Sequence, residues 1–122
     1  MTKNQTTNSE KDPARFDQVG QIAYVDFYFE GFDIEAEQVI LKVGREYTIK
    51  AIIGNICDNR VFNWSIWGAS PTSPSTQEAR VKYSQVGMYT VELILRTSHV
   101  GHGSACSSNG QKRKVNYVKV VK

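Results

Sequence analysis

The 122-residue sequence predicts a single all-β sandwich, and three observations carry that prediction. From Ile22 onward, apolar residues recur with a period of two. Clusters of Gly, Asn, Asp, Pro and Ser break the chain into short runs. No segment sustains an apolar stripe at i, i+3, i+4 and i+7, so helical classes drop out. About seven short strands in roughly 100 residues point to a sandwich or barrel.

The elements follow in order. IAYVDFYFEG is apolar and aromatic and ends at a Gly-containing turn at residues 31–33. QVILKVG comes next and closes at Gly44. In EYTIKAIIG, Tyr47, Ile49, Ala51 and Ile53 share a face opposite Thr48 and Lys50. In VFNWSIWG the inner set is Phe62, Trp64 and Ile66, opposite Asn63 and Ser65. EARVKYS follows. In YTVELILRT, Tyr89, Val91, Leu93 and Leu95 point one way, while Thr90, Glu92 and Arg96 mark the wet side. KVNYVKVVK is ambiguous, because Val115, Tyr117 and Val121 alternate with Val118 and Val120. These faces predict a core centred on Trp64. Residues 32–37 are the best candidate for a short helix, and residues 98–113 read as one long Gly/Ser-rich loop.

With 40% hydrophobic and 11% aromatic residues, the chain has enough apolar material for one core. At this length folding buries roughly two-thirds of the unfolded surface, so no covalent staple is obligatory. The net charge of +3 and pI of about 8.9 are only mildly basic, and the bases are dispersed. The denser patch of Lys112, Arg113, Lys114, Lys119 and Lys122 reads as a solvated edge strand, so no nucleic-acid partner is expected. No run approaches the roughly 18 apolar residues of a membrane helix, and no membrane span is expected. Residues 1–20 read as a disordered polar linker, and residues 21–122 as the domain. That polar stretch contains no apolar signal core. The chain therefore reads as intracellular or as a mature piece of an exported protein.

One segment carries a more specific pattern. In YSQVGMYTVELIL, Gly87 lies two residues before Tyr89, and Val91 two after it. A Tyr at the start of a late strand can fold its hydroxyl back onto upstream backbone, with a Gly supplying turn freedom. Together with VILKVGREYTI, the Trp of NWSIWG and the closing KVNYVKVV, this segment resembles the PKD family of immunoglobulin-like domains. The resemblance spans residues 38–121. It implies a seven-stranded Greek-key β-sandwich in which Trp64, Gly87 and Tyr89 are structural. It also implies a non-catalytic extracellular or cell-surface module, often beside enzymes, adhesins or glycan-binding domains. There is one departure. The family's acidic turn, of the form WDFGDG, is here WSIWGAS, with Ser65 in place of an Asp and no acid until Glu78. No cation-binding role is carried over.

Residue chemistry supports the same non-enzymatic reading. Both histidines, His99 and His102, lie in TSHVGHGSACSSNGQKR, which contains no carboxylate to orient a catalytic base. Asp26, Glu30, Asp33, Glu35 and Glu37 read as a solvated acidic surface. No catalytic residue and no cofactor are expected. The spacing of His99, His102 and Cys106 can reach a Zn²⁺, with Cys57 as a fourth ligand. The same two cysteines, the only ones present, can instead form a disulfide or remain free thiols. For binding, Trp67 and Tyr28 are the aromatics expected on outward faces, where a sugar ring can stack. The structural reading of Trp67, packing beneath the 71–74 loop, is favoured over this ligand-binding one. The expected protein is a monomeric surface module, possible lipoprotein attachment included, that contacts protein or polysaccharide or spaces other domains. The alternatives are a dedicated carbohydrate-binding module and a metal-binding domain.

Overall fold

A computed structural model describes residues 17–101 and 104–122 of the chain. Nine strands are present among these residues, with no helix. They are β1 (Asp17–Ile22), β2 (Tyr24–Phe29), β3 (Val39–Lys42), β4 (Glu46–Gly54), β5 (Asn59–Ile66), β6 (Ala69–Ser70), β7 (Glu78–Tyr83), β8 (Gly87–Gly101) and β9 (Ser104–Val121). They form two sheets. The five-stranded sheet runs β1-β9-β8-β5, with β3 also paired to β9, and the four-stranded sheet runs β2-β4-β7-β6.

Seven of these strands coincide with the seven apolar runs, and two are additional. The two-residue β6 is too short to show a period. β1 pairs in parallel with β9 and places residues 17–20 in a strand, inside the stretch expected to be linker. Its polar sequence carries no apolar alternation, and a backbone ladder joins it to β9. The 32–37 segment is a turn held by Ala36 N–H donating to the Asp33 carbonyl at 3.1 Å.

The largest correction concerns residues 98–113. Residues 98–101 and 104–113 are not a loop but the continuation of β8 and β9, which pair in antiparallel register from Leu93↔Lys112 to Gly101↔Ser104. Small side chains here serve close packing. A Cβ on Gly110 would sit 2.5 Å from the Ala23 carbonyl oxygen, where the chain passes from β1 to β2. The Ala23 N–H donates to the Asn109 carbonyl at 2.9 Å and fixes that crossing.

The final strand's ambiguity has a local cause. Asn116 has φ of 52° and sits in a bulge where the β8 register shifts between Tyr89 and Val91. The extra backbone turns Tyr117 and Val118 both inward, which strict alternation forbids. Val115 is left outside.

The core lies between the sheets. Phe27, Phe29, Ile49, Trp64, Ile66, Val81, Leu93, Leu95 and Tyr117 are buried there. Phe27 meets Trp64 edge-on at 5.4 Å, and Phe29 stacks on Tyr117 at 6.0 Å. Such pairs add about 1 kcal/mol beyond area burial. The Trp64 indole N–H donates to the Thr76 carbonyl at 2.8 Å, so its polar atom is satisfied. At the start of β8, the Tyr89 hydroxyl donates to the Gln85 carbonyl at 2.9 Å. Gly68, with φ of 85°, receives the Tyr89 ring so closely that any Cβ would collide with it.

Two buried hydroxyls, those of Tyr83 and Tyr117, have no hydrogen-bond partner among the described residues. Burial pushes the Tyr117 hydroxyl up to about 12, against a lowering influence from the Phe29 backbone. Burial raises Tyr83 further, helped by the neighbouring Tyr89 and Tyr117. An unfolded tyrosine ionises near pH ~10. The stabilisation linked to these two groups is therefore complete below about pH 10 and is lost as pH rises through the folded values. Urea midpoints should hold steady to about pH 10 and then fall. Two of the six tyrosines should ionise only with unfolding, as read by absorbance at 295 nm. Tyr83→Phe should flatten the decline at a cost under about 0.5 kcal/mol, because it deletes a hydroxyl that has no partner.

Candidate functional site

At one end of the sandwich, the β4–β5 loop meets the β8–β9 ribbon. Cys57 and Cys106 are joined there in a disulfide with Cα atoms 6.0 Å apart. The bond closes a segment of 49 residues. Buried polar contacts brace it: the Cys57 N–H donates to Thr97 Oγ1 at 2.9 Å, and Thr97 and Ser108 share a buried hydroxyl contact. With both sulfurs bonded to each other, neither is a thiolate for a metal. The four-ligand set of Cys57, His99, His102 and Cys106 is not assembled, and His102 itself lies outside the described residues.

His99 gains a partner that its own segment lacks. Its Nδ1 lies 3.1 Å from Asp58 Oδ2, a carboxylate supplied by the facing loop. Sequence separation hid this pairing. Asp58 is 82% exposed, so water screens the pair, and it does not form the buried acid that orients a catalytic histidine.

A second polar constellation joins the two sheets. Lys114 of β9 points inward, with Nζ 3.2 Å from Asp26 Oδ1 on β2 and donating to the Phe27 carbonyl at 2.6 Å. The Phe27 and Tyr117 rings cover the ammonium at 4.8 and 4.7 Å. Lys114 and Asp26 are only 13% and 19% exposed, so neither belongs to the solvated patches expected for them. Beside the pair is a cleft of about 640 Å³, whose walls carry Glu35 and Glu37 as well as Lys112 and Arg113. Its acids and bases offset one another, which leaves little net field for a charged ligand.

The outer face of the five-stranded sheet is different. Cross-strand register builds three rows on it: Ser65–Glu92–Arg113, Asn63–Ile94–Gln111 and Val61–Arg96–Asn109. Trp67, just past β5, is 41% exposed, and the Arg113 guanidinium carbon lies 5.5 Å from its ring centroid. Further along, Ile22, Ile94, Arg96, Asn109 and Gln111 line a depression of about 430 Å³. Tyr28 is half-buried on β2 of the other sheet, so the two aromatics proposed for binding do not share a surface. Reading residues 98–113 as a loop hid Asn109 and Gln111 and the place of Arg113 beside them. The signal was present in the alternation of Asn109, Gln111 and Arg113 at every second position.

Comparison of the chain with known protein families finds no family that matches, and a search of curated proteins likewise returns no match.

Two outcomes test the contacts described above. Replacing Cys57 and Cys106 together by Ser should lower the unfolding free energy by about 4 kcal/mol, measured by urea titration of the oxidised and variant proteins. Lys114→Met strands the Asp26 carboxylate in a poorly hydrated site and should cost about 2–3 kcal/mol. Adding Asp26→Leu to that variant should recover most of the loss, so the double-mutant cycle reports a coupling above about 1 kcal/mol.

Proposed function

We propose that this domain is a non-catalytic, PKD-like immunoglobulin module of an exported or surface-anchored protein, mediating contacts or spacing its neighbours. The observation that carries this reading is the strand order. Lettered in chain order, β2, β4, β7 and β6 take the places of A, B, E and D in an immunoglobulin sheet. β5, β8 and β9 take those of C, F and G. On that lettering the reading is of a seven-stranded Greek key to which β1 and β3 are added along β9.

Two further features support it. The hydroxyl of Tyr89 at the start of β8 bonds back to Gln85, the corner contact of such sandwiches. The disulfide suits an oxidising compartment, since cytosolic thiols are kept reduced. The polar residues 1–16 then act as part of a tether.

Alkylation of the protein as isolated from its own cells, together with labelling of intact cells by a membrane-impermeant amine reagent, tests the proposal. The expected result is surface labelling with both cysteines protected until reduction. Free Cys57 and Cys106 in an unlabelled protein would overturn the exported assignment. A second reading, carbohydrate binding, is favoured by the Trp67–Arg113 contact on an open sheet face.

A further inference from the structure

We infer that the outer face of the five-stranded sheet is a binding surface for an acidic polysaccharide, centred on Trp67, Arg113 and Arg96. This rests on the proposed surface-module role and adds the ligand class and the face.

The chemistry is laid out by the sheet itself. Successive outward positions on a strand are about 7 Å apart, so the Arg113 row and the Arg96 row are separated by about 14 Å. Between them, Asn63 and Gln111 flank Ile94. The floor is thus one aliphatic side chain with carboxamides on either side. A sugar ring needs this combination: an apolar surface for its C–H face and donors and acceptors for its hydroxyls. Trp67 supplies a wide stacking surface at one end of the track. The 430 Å³ depression beside Ile22, Arg96, Asn109 and Gln111 supplies a shallow seat at the other.

Charge selects among sugars. The three rows hold two guanidinium groups, Arg96 and Arg113, against one carboxylate, Glu92. A guanidinium presents a planar fork that pairs with a carboxylate or sulfate through two hydrogen bonds. Arg113 already lies against the Trp67 ring, so its orientation is restricted before a ligand arrives. A chain carrying an anionic group at each end of this track satisfies both arginines while its rings cover Ile94 and Trp67. Arg113 also reaches the wall of the cleft beside Asp26, whose acids and bases balance and which by itself offers no such preference.

Titration calorimetry with three hexasaccharide probes tests the inference: an oligouronate, a heparin-derived sulfated oligosaccharide, and neutral cellohexaose. The expected result is binding of at least one anionic probe, at least 10-fold tighter than cellohexaose and weakening as salt rises. Carboxylated and sulfated chains are told apart by which of the two binds. Trp67→Ala and Arg96→Gln should each weaken binding at least 10-fold without changing the melting temperature by more than a few degrees. Tyr28→Ala, on the other sheet, should leave it unchanged. Absence of binding by every probe would overturn the inference. So would equal binding of the neutral probe, or affinity that survives both Trp67→Ala and Arg96→Gln. Those results would leave the surface-module reading intact, because that reading is tested by cell labelling and thiol state.

Discussion

Most of this fold depends on the long strand β9 and on what its two edges must do. One edge pairs with β8 along nearly its whole length, while the other receives β1 near its start and β3 near its end. Both partners on that second edge run parallel to it, and between them the chain leaves this sheet, forms β2 in the other sheet and returns as β3. The close approach of Ala23 to Gly110 and the inward bulge at Asn116 are local adjustments that let one strand satisfy all three neighbours.

The interval between β1 and β3 is where the two sheets are tied together. Lys114 spans it, contacting Asp26 and the Phe27 carbonyl under two aromatic rings. A charge so placed is stable only while its partner remains, because the surroundings offer little water to replace it. The disulfide works at the far end of the same strand, binding the ribbon to the β4–β5 loop. Together these contacts hold the ribbon's inner side, while its outer side keeps the rows of Asn, Gln and Arg that face solvent.

That division also separates enclosed from exposed aromatics. Trp64 is enclosed with its indole N–H bonded, and Tyr89 closes a corner. Trp67 lies only three residues beyond Trp64, yet it sits in the turn just past β5, exposed and against Arg113. Two residues of one type at neighbouring positions thus have unrelated surroundings.

The sequence alone determined the β class, the seven main runs and the inward faces of β4, β5 and most of β8. Each of those follows from alternation and turn chemistry, which are local. Residues around Tyr89 likewise contain the corner within a few positions of one another. Only the tertiary structure decided the rest. The polar β1 and the Ser/Gly-rich half of the β8–β9 ribbon are strands because backbone ladders recruit them, and the polar alternation of Asn109, Gln111 and Arg113 lacks the apolar contrast that marks a buried face. The inward turn of Lys114, the Asp58 beside His99 and the joining of Cys57 to Cys106 each bring together residues at least 40 positions apart. The Trp67 face needed the register of three strands before its rows existed. Such placements depend on which strands become neighbours, and that is set by packing of the whole core and not by any one segment.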